Sequence, residues 1–297
     1  MLRTLSRYKY LYAMLVPVVA YYALFHYAPM YGAIIAFQDF RPLKGIGGSE
    51  WVGLAHFIDF FTGPYAWRLI RNTFMINLYE LLFSFPAPII LALLLNEIRH
   101  NLFKRSIQTI TYMPHFISIV VMAGIVLDFA SSDGVINRII EMLGGEKTSF
   151  MTRPEWFYPI YIISGIWQHV GWGSIIYLAA LAGIDPTLYE AGVVDGAGRW
   201  RQFLHITLPG IAPTIIIMFI LQIGNMMSIG FEKVLLLYNP SIYETADVIA
   251  TYVYRKGLLE LNYSFSAAVG IFNSIINFAL LVFANRMSRK YSETSLW

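Results

Sequence analysis

Long stretches without a charged residue recur along this 297-residue chain and constrain its fold more than any other feature. Six can be marked off, and the second is interrupted only by Glu80. They cover residues 10–38, 72–96, 106–127, 156–184, 202–231 and 261–285. A helix needs about 20 apolar residues to cross the hydrocarbon core of a bilayer. Hydrocarbon cannot satisfy an open backbone, so each stretch predicts a membrane-spanning helix.

Composition excludes a large water-soluble helical protein. Charged residues make up 13% of the chain and hydrophobic residues 57%, whereas soluble domains carry about a quarter charged residues. The chain has no cysteine, which excludes disulfides and thiolate metal sites. We expect an all-α, polytopic membrane protein with one transmembrane domain over residues 1–297. The expected spans are 11–37, 72–95, 107–128, 157–182, 208–231 and 264–285.

The distribution of lysine and arginine predicts the orientation. Six spans place both termini on one side, and basic residues crowd the N-terminus and the short 99–105 loop. The remaining loops are longer and hold most of the acidic residues. Basic segments stay in the cytoplasm, so we expect cytoplasmic termini. The first run lacks a small-residue cleavage site and is expected to be an uncleaved span.

The predicted outer loops contain two short amphipathic segments. In the first, apolar residues follow helical spacing at Trp51, Leu54, Phe57, Ile58 and Phe61. The second covers residues 243–259. Each predicts a short extracytoplasmic helix, lying either at the membrane interface or as a lid on the bundle.

The segment between spans four and five, DPTLYEAGVVDGAGRWRQFLHITLPGIAP, has the features of a helix–turn–helix. Asp185 followed by Pro186 is a typical helix start. Glycines then permit a turn, and an amphipathic stretch follows. Asp195 and Arg199 are four residues apart, which favours an ion pair on one helix. Such a segment can fit a groove of a partner protein or serve as an ordinary linker.

The spacing in this segment resembles the signature of permease subunits of binding-protein-dependent ABC importers. That signature is Glu-Ala-Ala, three residues, Gly, nine residues, then Ile-x-Leu-Pro. The chain keeps every interval and departs only at Gly192, where the family has a second alanine. PMYGAIIAFQDF, GGSEWVGLAHF, MPHFIS, FEKVLLLYNPSIYETADVIATYVYRKGL and NRMSR are similar to the carbohydrate-uptake branch, and within it to the oligosaccharide and polysaccharide sub-branch.

The resemblance implies a permease subunit that translocates a carbohydrate across the bacterial inner membrane. Its implied partners are a second, homologous permease subunit, an ATPase dimer and an extracytoplasmic binding protein. Loop 185–209 would dock on the ATPase as a cytoplasmic coupling loop. The implied coupling residues are Glu190, Ala191, Gly192, Asp195, Gly196, Ala197, Ile206, Leu208 and Pro209.

The chain lacks the phosphate-cradling pattern G-x-x-x-x-G-K-[ST] of P-loop ATPases. The nearest fragment, GGEKT at 144–148, has no Gly-Lys pair. No metal site or catalytic cluster is recognisable either. We therefore expect a non-catalytic subunit that binds no cofactor, with ATP and Mg²⁺ on the partner ATPase.

Polar residues inside the spans are candidates for the substrate pathway, because amides and indole rings suit sugar recognition. They are Asn77, Glu80, Trp167, Gln168, Trp172, Gln222, Asn225, Asn273 and Asn277. Buried amides also simply hold helices together, and that alternative stays open for each. Glu80 is expected to be a pathway carboxylate, a neutral buried acid, or a partner of Arg71 or His115.

An ion-gradient-driven secondary transporter is the alternative function. Such transporters carry buried charges and internal repeats, and only Glu80 points that way. Within the importer interpretation, a neutral and an acidic oligosaccharide are not separable from the sequence.

Overall fold

The computed structural model describes residues 8–291, so the basic residues Arg3 and Arg7 lie outside the described residues. Within that range the regular secondary structure is helical except for one short two-stranded ribbon, and short loops join the elements. It divides into two compact units. Of the described residues, the first comprises 8–66 and 253–272, and the second comprises 67–252 and 273–291.

The first unit begins with a long helix and the ribbon. The elements are α1 (Lys9–Phe37), β1 (Gln38–Asp39), α2 (Gly45–Gly48), β2 (Glu50–Trp51) and α3 (Ala55–Thr62). Helix α1 contains a π-helical turn and ends as a 3₁₀ helix. The ribbon pairs Gln38 with Trp51, and the Trp51 ring stacks on Phe37 with centroids 5.8 Å apart.

The first predicted outer helix begins later than expected, at Ala55. Trp51 lies in β2 because its backbone pairs with Gln38. The buried residue of α3 is Phe60, which contacts Phe272 at 5.7 Å between ring centroids. Apolar side chains on the other faces of α3, including Ile58, remain exposed. The helix is therefore amphipathic, but its anchoring residue was missed by the spacing argument.

The second unit is a helical bundle built around one central helix. Its helices are α4 (Ala66–Glu97), α5 (Asn101–Phe116), α6 (Ile119–Phe129), α7 (Val135–Met142), α8 (Phe157–Ala182), α9 (Pro186–Val194), α10 (Arg199–Gly224), α11 (Phe231–Leu237), α12 (Tyr243–Ala246) and α13 (Ile249–Tyr254). The last helix, α14 (Tyr263–Tyr291), contributes to both units.

Helix α8 is the centre of this bundle and packs against α4, α5 and α10. Gly171 allows the closest approach, because a Cβ there would collide with the Thr111 carbonyl of α5. Small residues at such contacts are typical of helix packing in membranes. Ser174 is fully buried beside it and donates a hydrogen bond to the Gly171 carbonyl at 2.6 Å.

Four helices of the described chain are long and apolar enough to span a bilayer: α1, α4, α10 and α14. Helices α5 and α6 make a fifth span if counted together across their 102° bend. Helix α8 has 26 residues but carries polar groups such as Gln168. A helix surrounded by other helices need not be apolar all round, and α8 can therefore be the sixth span. The predicted count of six stays a prediction.

The predicted spans two and three are interrupted. In α4 a π-helical turn, Glu80–Ser84, precedes Pro86, and the Phe85 amide bonds the Glu80 carbonyl at 2.9 Å. Proline has no N–H and disturbs the regular hydrogen-bond ladder, so a local π turn is a typical response. The third span breaks after Phe116, where Ile117 is extended.

The second predicted outer helix, 243–259, is also interrupted, at Asp247. This fully buried carboxylate accepts hydrogen bonds from Arg68 at 3.2 Å and from Thr251 at 2.9 Å. The Asn72 amide donates to the Asp247 carbonyl at 2.9 Å. These bonds fix α12 and α13 against the start of α4, and they replace the helical bonds lost at the break.

Candidate functional site

Helix α9 of segment 185–209 is capped at both ends by its own sequence. At the N-terminus the Asp185 carboxylate accepts a hydrogen bond from the Thr187 amide at 2.9 Å, and Pro186 occupies the first helical position. Hydrogen bonds from the Thr187 backbone and hydroxyl hold the pKa of Asp185 below its usual value. The cap thus stays ionised, and effective, well into the acidic range.

The C-terminus of α9 is a Schellman motif. Gly196 has a φ of +73°, the Ala197 amide bonds the Gly192 carbonyl at 2.8 Å, and the Gly196 amide bonds the Val193 carbonyl at 3.1 Å. This pattern needs a left-handed residue after the helix, which glycine adopts without strain. The glycine of the sequence signature therefore has a local physical reason.

The two helices of the segment contact each other through the side opposite the exposed tip. Tyr189 and Thr207 hydroxyls lie 2.9 Å apart, and Gln202 donates to the Ala197 carbonyl at 2.9 Å. A Cβ at Gly192 would lie 3.3 Å from the Ile206 Cδ1. The expected ion pair of Asp195 with Arg199 is absent here, because the turn places the two residues on different elements.

The outward face of α9 is unpartnered within the described chain. Glu190 and Ala191 are exposed, and Val194 exposes 86% of its surface. Of the other implied coupling residues, Gly192, Ala197 and Ile206 are half-buried, and Asp195, Gly196, Leu208 and Pro209 are exposed. The outward face of α9 thus presents an acidic and apolar surface, and hydrogen bonds between the two helices hold the opposite side.

A cavity of about 380 Å³ lies within the second unit, between α4, α8, α10 and α11. Its polar and aromatic lining residues are Glu80, Ser84, Phe85, Tyr161, His169, Tyr177, Gln222 and Lys233. Of the sequence candidates, Glu80 and Gln222 meet here. Neither Arg71 nor His115 is the partner of Glu80: Arg71 bonds Asn72 and the Glu244 carbonyl, and His115 contacts His169 at 3.3 Å.

Lys233 is the charged residue that interacts electrostatically with Glu80. It exposes 7% of its surface and donates a hydrogen bond to the Tyr161 carbonyl at 2.6 Å. Sequence analysis missed it because it follows the uncharged run instead of interrupting it. The available signal was FEKV itself, where a lysine stands among residues that pack in the core.

The other amide candidates bond to nearby backbone. Asn77 donates to the Thr73 carbonyl at 2.8 Å, and Asn225 donates to the Leu221 carbonyl at 2.9 Å. Gln168 donates at 3.1 Å to the Ile117 carbonyl, at the break between α5 and α6. The Gln168 bond therefore holds a chain break in place, whereas Asn77 and Asn225 bond carbonyls of their own helices.

The α14 candidates and the tryptophans also lie away from the cavity lining. Asn277 accepts from the Met227 amide at 2.7 Å and donates to Ser228 at 2.8 Å, just beyond α10. The side-chain amide oxygen of Asn273 is buried without a hydrogen bond to the described residues. Trp172 stacks on His115 at 4.5 Å between centroids, so one ring face is covered. Trp167 lines a separate apolar groove of about 410 Å³.

Residues 84–293 match the family described as "Binding-protein-dependent transport system inner membrane component". The polygalacturonan/rhamnogalacturonan transport system permease protein YteP of Bacillus subtilis (strain 168) is 48% identical over 290 residues, covering 97% of this chain and 90% of that protein. Protein LplB of the same organism is 47% identical over 294 residues, covering 99% and 92%.

Two solved structures are also similar. A chain of a bacterial alginate ABC transporter, in complex with an alginate pentasaccharide-bound periplasmic protein, superposes with a TM-score of 0.93 at 43% identity, covering 100% of this chain and 99% of that one. A chain of a bacterial ABC transporter involved in the import of the acidic polysaccharide alginate gives 0.91 at 44% identity, covering 97% and 98%.

Proposed function

Because the chain belongs to the binding-protein-dependent transport system inner membrane component family, we propose that it forms one half of the pathway of an ATP-driven carbohydrate importer. It is a non-catalytic permease subunit of a bacterial inner membrane, and ATP is hydrolysed by a separate chain. This family assignment excludes the ion-gradient-driven alternative. The proposed cargo is an oligosaccharide or polysaccharide fragment, as the names of the similar proteins suggest.

The observation that carries the coupling role is the exposed, doubly capped helix α9. A coupling element must transmit motion without bending, and α9 is fixed by its Asp185 cap, its Schellman motif and the Tyr189–Thr207 bond. Its apolar tip and the Glu190 carboxylate fit a cleft on an ATPase subunit. Closure of two ATPase subunits on ATP would then move α9 and bias the bundle between inward-open and outward-open packings.

The proposed assembly contains a second, related permease subunit, two ATPase subunits and an extracytoplasmic binding protein. The 29-residue helix α1 supports the second permease, since its most apolar window has no buried residue. An apolar helix exposed on every side suits contact with lipid and with another subunit. The periplasmic protein in the alginate transporter complex supports the binding protein. A purified complex containing two copies of this chain and no other permease would contradict this composition.

Gly196 provides a test of the coupling role. In Gly196→Val a β-branched residue must occupy a left-handed φ of +73°, which is strongly disfavoured, whereas asparagine tolerates this region. We expect the Gly196→Val permease to insert normally. The amount of ATPase subunit that co-purifies with the tagged permease should fall at least tenfold. Gly196→Asn should retain most of it.

Membrane insertion of both variants is checked by the yield of full-length permease in the membrane fraction. Equal ATPase recovery with valine and asparagine would argue against the role of this turn. In the intact complex, changing the Walker lysine of the ATPase should abolish uptake.

A further inference from the structure

The cavity in the second unit holds one buried lysine and one acidic residue on different walls. Lys233 is in the first turn of α11, and Glu80 lies in the π-helical turn of α4. The two interact electrostatically, yet no ion pair within 4.0 Å joins them in the described chain. Both groups therefore face the cavity with space between them.

The hydrogen bonding of Lys233 is incomplete. Its ammonium group donates to the Tyr161 carbonyl at 2.6 Å and lies 4.2 Å from the centre of the Tyr161 ring. Gly165 leaves room beside the ammonium nitrogen of Lys233, because a Cβ at this position would lie only 3.0 Å from that nitrogen. An ammonium group has three N–H donors, and the described residues accept one of them. A buried cation in this state gains strongly from an anionic ligand.

The remaining lining suits a sugar ring. Glu80 can accept hydrogen bonds from sugar hydroxyls, and the Gln222 amide can both donate and accept. His169 is exposed and can contribute a ring face. A neutral sugar could use all of these groups, but it would bring no anion to the ammonium, whose counter-charge on Glu80 lies beyond ion-pair distance. A sugar acid supplies the hydroxyls and the counter-charge together.

We infer that Lys233 selects saccharides that carry a carboxylate, receiving the carboxylate on its ammonium group while Glu80 and Gln222 bond the hydroxyls. This inference rests on the proposed function, since it names the substrate class of the same importer. Lys233 acts as a specificity-determining residue in the membrane, beyond any selection by the binding protein.

The test compares two probes that differ only in charge, trigalacturonate and its carboxyl-reduced trisaccharide. Uptake is measured in proteoliposomes holding the complete importer and saturating binding protein. We expect Lys233→Met to lower uptake of trigalacturonate about tenfold or more, as expected for loss of a charge-assisted hydrogen bond, and to change uptake of the reduced probe less than twofold. Lys233→Arg should retain the preference for the acid.

Matched controls separate selection from folding. Lys147→Met removes an exposed lysine that pairs with Asp133 and should leave the uptake of both probes unchanged. If Lys233→Met fails to assemble with its partners, Lys233→Gln keeps a donor near the Tyr161 carbonyl without the charge, and the same loss is expected.

The outcomes distinguish the two claims. Equal loss of both probes in Lys233→Met or Lys233→Gln means that Lys233 only supports the Tyr161 carbonyl, and the inference is overturned. Wild-type uptake of neutral saccharides with no uptake of trigalacturonate or of trimannuronate also overturns it, while the proposed function stands. Failure of every saccharide to stimulate the assembled ATPase overturns the proposed function itself.

Discussion

At the scale of single residues, polar side chains in the bundle serve two purposes. Asn77, Gln168 and Asn277 bond backbone groups, two of them at interruptions of another element. Glu80 and Gln222 line the cavity. Spacing along the sequence does not separate structural amides from cavity-lining residues. Whether an amide such as Gln168 meets a free carbonyl depends on where a distant segment breaks.

Two glutamine variants test this division. Gln168→Leu leaves the buried end of the α5–α6 break without its donor, so we expect a loss of about 1 kcal/mol and a lower Tm of the purified complex. Gln222→Leu should leave the Tm within error and reduce carbohydrate uptake several-fold. Thermal unfolding followed by tryptophan fluorescence, together with uptake in proteoliposomes, measures both. A lower Tm in Gln222→Leu alone would reverse the assignment.

At the scale of elements, some helices are held rigid at their ends and others are interrupted along their length. Helix α9 is stiffened at both ends, whereas α4, α10 and the pair α5–α6 contain π turns or a break. Interruptions inside a bundle expose backbone groups that side chains must satisfy. The breaks therefore account for Gln168 and Asn277, two of the polar residues that the sequence suggested were functional.

Variants of Gly192 test whether coupling needs a stiff or a flexible α9. Alanine is favoured over glycine by about 1 kcal/mol within a helix. The nearest atom to the new methyl group would be the flexible end of Ile206 at 3.3 Å, and Gln202 and Ala197 would be in ordinary contact at 3.6 and 3.8 Å. We expect Gly192→Ala to keep coupling intact and to raise the Tm of the complex slightly. Gly192→Val, which adds bulk against Ile206 and Gln202, should reduce ATPase recovery. A folded Gly192→Ala complex with no coupled ATPase activity would show that flexibility here is needed.

At the scale of the whole molecule, the proposal depends on which side of the membrane segment 185–209 occupies. The chain has no native cysteine, so single cysteines can be introduced without background labelling. Val194 and Leu43 are both highly exposed. In intact cells, Leu43→Cys should react with a membrane-impermeant maleimide, and Val194→Cys should react only after the inner membrane is opened. Labelling of Val194→Cys from outside would overturn the topology and the coupling role together.

The helical class, the approximate helix positions and the helix–turn–helix at 185–209 could be predicted from the sequence. These follow from local properties: apolar run length, the Asp-Pro helix start, and a glycine spaced for a left-handed turn. The predicted ion pair of Asp195 with Arg199 was wrong, because residues four apart lie side by side only when both belong to one helix. Helix α3 begins later than predicted, because the backbone of Trp51 pairs with Gln38 in the ribbon.

The prediction of membrane-spanning helices needs nothing beyond the sequence, because a charge-free run of about 20 residues without strand alternation is stable in lipid as a helix. Which polar residues share a cavity depends on the three-dimensional packing of the helices. Glu80 and Lys233 are separated by more than 150 positions and belong to different helices. Their meeting depends on how α4, α8 and α11 pack, and packing is a property of the assembled bundle that no single segment encodes.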